Sequence, residues 1–261
     1  MTRVIVIASS KGGVGKTTTA VNLGFALQQF GRSVLVLDAN VHTPNLSIHL
    51  GHPLVQTTLV NVLAGEAKID EAAYKHVSGL KIIPSSISLD QIKQINVDAL
   101  PEVILDLEGT AEAVLVDSAA GLGKEFLAAI KSADEVIVVT NPELPSVVDA
   151  KKTIEVAENH GKEVLGIVLN EFRGDDFDMD VKNVESILEK PIIAIIPHDI
   201  SVRESLKLKQ PVVYSHPNKP ASIGFKQLAA YLIGEKYVHS LAEEEKKNKF
   251  NTVLKKIGLK K

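Results

Sequence analysis

The residues Ser9-Ser10-Lys11-Gly12-Gly13-Val14-Gly15-Lys16-Thr17 decide the fold of this chain. The apolar run Val4–Ala8 precedes them and predicts a short buried strand, and Thr18–Phe30 follows with apolar residues at helical spacing. A strand, a glycine-rich turn and a helix in this order form a phosphate cradle. Glycines let backbone N–H groups close around phosphate oxygens, and the helix N-terminus adds its partial positive charge. The stretch therefore predicts a binding site for phosphate groups.

Two side chains of this loop add chemistry to the cradle. We expect Lys16 to reach the terminal phosphates of a nucleotide and the Thr17 hydroxyl to ligate Mg²⁺. The general pattern G-x-x-x-x-G-K-[ST] needs a glycine where this chain has Ser10, and the loop carries an extra lysine, Lys11. This K-G-G-x-G-K-T form resembles the deviant Walker A motif of the MinD/ParA superfamily of dimerising P-loop ATPases. The resemblance implies that ATP or ADP is bound with Mg²⁺ by Gly12, Gly13, Val14, Gly15, Lys16, Thr17 and Thr18.

Composition favours a soluble globular protein. The chain has 261 residues, of which 45% are hydrophobic and 23% are charged. No run approaches the ~18 apolar residues of a membrane span, and the strand-like start leads us to expect no signal peptide and a cytoplasmic location. There is no cysteine. Members of this superfamily that hold iron–sulfur clusters bind them through cysteine thiolates, so the chain does not belong to those members.

Strand and helix patterns alternate along the chain, which predicts an α/β fold: a doubly wound, mostly parallel sheet with helices on both faces. After the first strand, predicted strands are Val34–Leu37, Leu80–Pro84, Ala113–Val116, Glu135–Thr140, Val164–Asn170 and Ile192–Pro197. After the first helix, predicted helices lie near Thr58–Leu63, Leu100–Leu107, Glu125–Lys131, Ser146–Asn159, Met179–Leu188 and Ser222–Leu232. We expect one P-loop ATPase domain over residues 1–235 and a tail over residues 236–261.

Asp38 ends the second predicted strand, where ligands of P-loop sheets bind, so it can face the Mg²⁺ shell or the γ-phosphate. The stretch after it resembles the family's switch I, usually Asp-x-Asp followed by an Asn. Asp38 and Asn45 keep this pattern, but Asn40 replaces the second Asp, which positions the attacking water. An amide oxygen can orient water but cannot usefully accept its proton. We therefore expect unstimulated hydrolysis to be slow or absent.

Asp117 ends another apolar strand and is followed by Gly121, a Walker B and switch II pattern. We expect it to hold the Mg²⁺ water shell. The resemblance also implies that Asn170 hydrogen-bonds the adenine base, that the loop containing Pro197 and Asp199 wraps this base, and that Asp149 pairs with Lys11 when nucleotide is absent. A solvated helix charge is at least as good an interpretation of Asp149.

Lys11 is surplus to a single phosphate cradle. Its position suggests that it reaches the phosphates of a second subunit, as an arginine finger does in trans. The resemblance implies a homodimer in the ATP state, with Lys11, Lys16, Asp38 and Asn40 as the catalytic residues. The alternative is that Lys11 neutralises the phosphates of its own subunit. His42, His49, His52, His198 and His216 show no metal-ligand spacing, and we see no Ser–His–Asp arrangement.

The last 16 residues carry seven lysines and no acid, so the chain's net charge of −3 leaves −10 on residues 1–245. Phe250, Val253, Leu254 and Ile257 fall on one helical stripe, with Leu259 beyond it. A basic helix with such a stripe is typical of an anionic membrane surface, and the tail resembles the membrane-targeting helix of MinD-type septum-site-determining proteins. A disordered lysine tail or a helix docked on the body are the alternatives.

The sequence thus predicts an ATP-dependent dimerisation switch that binds the inner face of the cell membrane and positions other proteins, with an unidentified activator or cargo. A DNA-partitioning ATPase and a non-hydrolysing ATP-dependent scaffold are the alternatives. Nucleic acid is a poor partner for so acidic a body, and the apolar stripe has no use on DNA.

Overall fold

The computed structural model describes residues 1–51, 55–86 and 95–237. Within these ranges the strands are β1 (Arg3–Ala8), β2 (Val34–Asp38), β3 (Tyr74–Lys75), β4 (Lys81–Ile83), β5 (Ala113–Asp117), β6 (Glu135–Thr140), β7 (Glu163–Phe172) and β8 (Ile192–Pro197). The α-helices are α1 (Lys16–Gln29), α2 (Leu46–His49), α3 (Leu59–Leu63), α4 (Leu100–Leu105), α5 (Lys124–Ser132), α6 (Leu144–Asn159), α7 (Val181–Leu188), α8 (Ile200–Leu208), α9 (Val212–Ser215) and α10 (Pro220–Leu232). Short 3₁₀ turns lie at Ile69–Ala72 and Val97–Ala99.

The strands form one eight-stranded sheet in the order β3-β4-β2-β5-β1-β6-β7-β8. Every pair is parallel except β3–β4 at one edge, which is antiparallel. Parallel strands bring their carboxyl ends to one edge of the sheet, where ligands of open α/β folds bind. The central position of β1 therefore places the glycine-rich loop in the middle of that edge.

Both faces of the sheet are covered, which explains why its strands are continuous aliphatic runs. Along β1, Ile5 and Ile7 pack into one buried cluster with residues of α1 and α10, whereas Val6 and Ala8 pack into the other with residues of α4 to α7. The two faces alternate because successive strand side chains point in opposite directions. Helix α1 lies so close to the sheet that a Cβ on Gly24 would meet Val36 Cγ2 at 2.6 Å.

The predicted α/β architecture is confirmed, and the predicted strands and helices shift mostly by one or two residues at their ends. The sequence analysis missed the edge strand β3 and the helices α2, α8 and α9. It interpreted the stretch around Pro197 and Asp199 as a loop and assigned no helix before Ser222, although Asp199 caps α8 and Pro211 precedes α9. The predicted tail begins at Lys236, and its residues after Tyr237 lie outside the described residues.

Within the part of the chain that the structure describes, no helix is both long and apolar enough to cross a membrane.

Candidate functional site

A cavity of about 370 Å³ opens at the carboxyl edge of the sheet, above β1. The glycine-rich loop and the start of α1 form one wall, and the segments after β2 and β5 contribute to the others, together with one residue of α8. Its lining residues are Gly12, Gly13, Gly15, Lys16, Thr17, Thr18, Asn40, Thr43, Asn45, His49, Ser118, Ala120 and Leu206. The residues that the sequence assigned to phosphate binding thus line one space, except Val14, which is buried.

Gly15 fixes the shape of the loop. Its φ of 99° is left-handed, and a Cβ at this position would lie 2.2 Å from Asn170 Nδ2. The Asn170 amide donates to the Val14 carbonyl oxygen at 2.8 Å, so β7 supports the loop from behind. Only glycine combines this backbone conformation with this close approach. Asn170, predicted to contact a base, therefore also holds the glycine-rich loop.

Lys16 lies almost fully buried at the start of α1, where its ammonium donates to the Lys11 carbonyl oxygen at 3.1 Å. Burial lowers the pKa of Lys16, and the nearby Asp117 carboxylate opposes that shift. A buried ammonium next to free backbone N–H groups at a helix N-terminus is electrostatically suited to phosphate oxygens.

Asp38 and Asp117 end neighbouring strands and are paired in register, and each is at most 1% exposed. Burial raises the pKa of Asp38, and the Asp117 carboxylate raises it further, against the backbone N–H groups of Leu46, Asn40 and Asn45. Burial also raises the pKa of Asp117, although the Thr17 hydrogen bond and the Lys16 charge oppose it. Two buried acids held side by side repel each other, and a cation between them would relieve that repulsion.

The same group of residues fits a divalent cation. Thr17 Oγ1 donates to Asp117 Oδ2 at 2.5 Å, so a hydroxyl and a carboxylate already meet beside the cavity. Asp117 Oδ1 is buried and has no hydrogen-bond partner among the described residues. Oxygen donors of this kind are those that Mg²⁺ prefers. Thr17 and the two aspartates can therefore hold Mg²⁺ next to bound phosphates.

Asn40 is turned into its own loop. Its Nδ2 donates to the Thr43 carbonyl oxygen at 2.6 Å, while its Oδ1 accepts from the Thr43 N–H and hydroxyl at 3.2 and 3.0 Å. The sequence analysis left the amide oxygen free to orient a water, but in the structure both of its lone pairs are occupied. Asn40 lines the cavity, and its side chain closes a turn there.

Lys11 does not line the cavity. Its ammonium donates to Ser146 Oγ at 2.6 Å and lies 3.6 Å from the Glu143 carboxylate. The predicted pair with Asp149 was wrong for this structure, because that carboxylate pairs with Lys152 at 3.1 Å. The geometry depends on which turn of α6 Lys11 reaches, and sequence spacing alone does not fix this.

Pro197 ends β8 and Asp199 is the N-cap of α8. Asp199 Oδ1 accepts from the Ser201 N–H at 2.9 Å and its Oδ2 from the Ala221 N–H at 3.2 Å. Burial acts to raise the pKa of Asp199, but the hydrogen bonds from Ser201 and Ala221 and the charge of Lys219 lower it overall. The side chain therefore organises the loop as a helix cap. Both oxygens of the Asp199 carboxylate therefore accept hydrogen bonds from the protein's own backbone.

The structure does not bring the histidines considered in the sequence analysis together into one site. His42 pairs with Glu125 on α5, His216 lies 3.4 Å from Glu204, and His52 lies outside the described residues. Among the described residues no group of histidines and acids is arranged to hold a metal ion. His49 and Leu206 line the cavity, and the sequence analysis gave neither a role because no motif marks them.

Comparisons with known proteins agree with this architecture. The sequence profile of the CobQ/CobB/MinD/ParA nucleotide binding domain matches residues 5–212. An uncharacterized ATP-binding protein of Methanocaldococcus jannaschii is 40% identical over 245 residues, which are 94% of this chain and 93% of the relative.

Two solved structures are similar over almost their whole length. The cell division ATPase MinD of Pyrococcus furiosus is 35% identical with a TM-score of 0.87, covering 90% of this chain and 99% of that one. The septum site-determining protein MinD of Pyrococcus horikoshii, complexed with Mg-ADP, is 36% identical with a TM-score of 0.86, covering 89% and 96%. The chain therefore belongs to the MinD/ParA family of nucleotide-binding domains.

Proposed function

We propose that this protein is a MinD-like, Mg²⁺- and ATP-dependent dimerisation switch. The observation that carries the proposal is the separation of the two loop lysines. Lys16 is buried in the wall of the phosphate cavity, whereas Lys11 lies outside that cavity on the surface of α6 with 32% of its side chain exposed. The cradle is complete without Lys11, so this lysine is available for a second subunit.

ATP binding is assigned to the residues that line the cavity. The backbone of Gly12–Gly15 and the α1 N-terminus take the phosphate oxygens, and Lys16 offsets their charge. Thr17, Asp38 and Asp117 hold Mg²⁺, which neutralises charge on the β- and γ-phosphate oxygens when bound. Asn170 and the backbone after Pro197 hold the base. The Mg-ADP bound by the Pyrococcus horikoshii relative supports this assignment.

A dimer interface is supported by the surface around Lys11. Leu144 and Val148 lie one helical turn apart on α6, on either side of Ser146, and are 57% and 44% exposed. Leu122, in the segment after Asp117, is 41% exposed. Exposed apolar side chains around a charged residue are typical of a transient subunit interface. We therefore propose that this surface contacts the second subunit.

Hydrolysis of ATP in this dimer is proposed to be slow. Asn40 cannot accept a proton, and its hydrogen bonds to Thr43 occupy the amide that would otherwise orient water. The same observation favours a second candidate function, an ATP-dependent scaffold that does not hydrolyse. A phosphate-release assay on the unmodified protein separates the two, because only the first candidate releases phosphate above background. The same assay on Asn40→Asp tests whether this residue limits turnover. A rise of about tenfold or more at unchanged ATP affinity supports slow hydrolysis limited by this residue, and an unchanged rate argues against any role for Asn40 in limiting turnover.

Membrane binding is assigned to the C-terminal stripe Phe250, Val253, Leu254, Ile257 and Leu259, which lies outside the described residues. One such short basic helix binds anionic lipid weakly, at ~1 kcal/mol per lysine near the surface. Two on one dimer gain avidity by ~10²–10⁴. ATP binding thereby causes the dimer to bind peripherally at the cytoplasmic face of the membrane. There the dimer positions an unidentified protein partner.

The membrane proposal is tested by co-sedimentation with vesicles containing anionic lipid, in ATP, in ADP and without nucleotide. The full chain should pellet mainly with ATP, and a chain ending at Glu245 should stay in solution in all three conditions. Equal pelleting in all nucleotide states, or pelleting of the truncated chain, would contradict the proposal. A parallel arm with duplex DNA at moderate salt tests the partitioning alternative, and we expect no binding there.

A further inference from the structure

The cavity above the glycine-rich loop has a wall to which no motif assigns a role. His49 of α2 and Leu206 of α8 line it together with Thr18, although the two helices are far apart in sequence. An imidazole and an apolar side chain on one wall of a phosphate site form a contact surface for the part of a nucleotide beyond its phosphates.

His49 is held in this wall from both ends of its short helix. At the N-terminal end, Asp38 Oδ2 accepts from the backbone N–H groups of Asn45 and Leu46 at 3.2 and 3.0 Å, which ties α2 to the magnesium site. At the C-terminal end Gly51, with a φ of 73°, lies against the Lys209 side chain, and a Cβ on Gly51 would meet Lys209 Cδ at 2.6 Å. Leu46 and Leu50 are buried beneath the helix.

The cradle fixes the direction in which a nucleotide runs. In such a cradle the Lys16 side chain contacts the β- and γ-phosphates, and the Thr17 hydroxyl binds the Mg²⁺ beside them. The backbone that continues into α1 at Thr18 serves the α-phosphate, so the sugar is the next group along the chain. His49 and Leu206 share the cavity with Thr18, and they are placed for that sugar.

We infer that His49 hydrogen-bonds a sugar hydroxyl of the bound nucleotide and that Leu206 packs against the same sugar. This inference rests on the nucleotide binding proposed above. A neutral imidazole offers one N–H donor and one acceptor, and a hydroxyl can pair with either. Burial lowers the pKa of His49, which favours this neutral form.

The test compares the affinity for ATP with that for 2′,3′-dideoxy-ATP, which lacks the sugar hydroxyls, in the presence of Mg²⁺. The unmodified protein should prefer ATP by about fivefold, as expected for one net hydrogen bond. In His49→Leu this preference should disappear, because ATP loses the contact and the dideoxy compound has none to lose. His49→Gln, which keeps a donor and an acceptor, should retain part of it.

Two controls keep the outcome specific. His42→Leu removes an exposed histidine that pairs with Glu125 and does not line this cavity, so its preference should equal that of the unmodified protein. Leu206→Ala should lower the affinity for ATP and for 2′,3′-dideoxy-ATP by the same factor. An unchanged preference in His49→Leu would overturn the inference while leaving nucleotide binding intact. Failure of the unmodified protein to bind ATP at all would instead refute the proposed function, and the inference with it.

Discussion

Two carboxylates buried side by side in a protein raise its free energy, and Asp38 and Asp117 lie in this way at the ends of adjacent strands. The raised pKa of each group means that the folded chain holds more protons than the unfolded chain over the same pH range. The free energy of unfolding contributed by this pair therefore falls as pH rises through the folded pKa values. A site that is strained in this way is ready to bind a cation.

We predict that Asp117→Asn stabilises the protein in the absence of nucleotide and magnesium. An amide removes the repulsion with Asp38, and its oxygen can still accept the Thr17 hydrogen bond. The gain in unfolding free energy should be about 1 to 2 kcal/mol near pH 8 and should shrink toward zero near pH 5. Urea unfolding at both pH values measures it, with the exposed Asp176→Asn as the control.

The same substitution should weaken binding of ATP in the presence of Mg²⁺, because the cation loses a charged ligand. A variant that is less stable than the unmodified protein near pH 8 would show that the two aspartates do not oppose each other as described. A variant that keeps its full magnesium dependence would show that Asp117 is not a ligand of the cation.

At the scale of secondary structure, the predicted strands agree with the sheet because buried parallel strands are continuous aliphatic runs that few other structures produce. Helix α8 was missed because its Asp199 cap was assigned to ligand binding, whereas the carboxylate pairs with Ser201 and Ala221. The two-residue strand β3 has no periodicity of its own and depends on pairing with β4.

For the candidate site, too, sequence predicted the features that depend on the backbone and not those that depend on side-chain packing. The glycines and Lys16 could be placed beside one cavity, and the two aspartates at neighbouring strand ends, because these positions follow from the backbone. The contacts of Asn40 and Lys11 could not be predicted, because each side chain has several partners within reach and only packing selects among them. His49 and Leu206 belong to no motif, and only the approach of α2 to α8 brings them together.

Helix α6 provides a prediction at this scale. Leu144 begins the helix beside Lys11 and is more than half exposed, so Leu144→Glu places an acid at a helix N-terminus, which the helix tolerates. We expect unchanged ATP affinity but dimerisation weakened by about tenfold or more, since an unpaired charge would be buried between subunits. Analytical ultracentrifugation with and without ATP measures this effect.

A matched control lies at the other edge of the sheet. Leu105 on α4 is 69% exposed and shares a surface cleft with Arg3 at the amino end of β1. Leu105→Glu should leave both ATP affinity and dimerisation unchanged. If the two variants behaved alike, the surface around Lys11 would not be the interface.

At the scale of the whole molecule, the proposed function makes membrane binding depend on dimerisation. Residues 1–245 carry a net charge of −10 and contain the proposed nucleotide site, whereas the last 16 residues carry seven lysines and no acid. Under this proposal a single C-terminus binds lipid weakly, and dimerisation doubles the membrane contacts without changing either chain. We propose that Lys11 is the residue on which dimerisation depends.

The most direct test is sedimentation velocity of the protein saturated with a non-hydrolysable ATP analogue and Mg²⁺. We predict a dimer for the unmodified protein, a monomer when ADP replaces the analogue, and a monomer for Lys11→Ala even where the analogue remains bound. A protein that stays monomeric at saturation, or a Lys11→Ala variant that dimerises as well as the unmodified chain, would contradict the account.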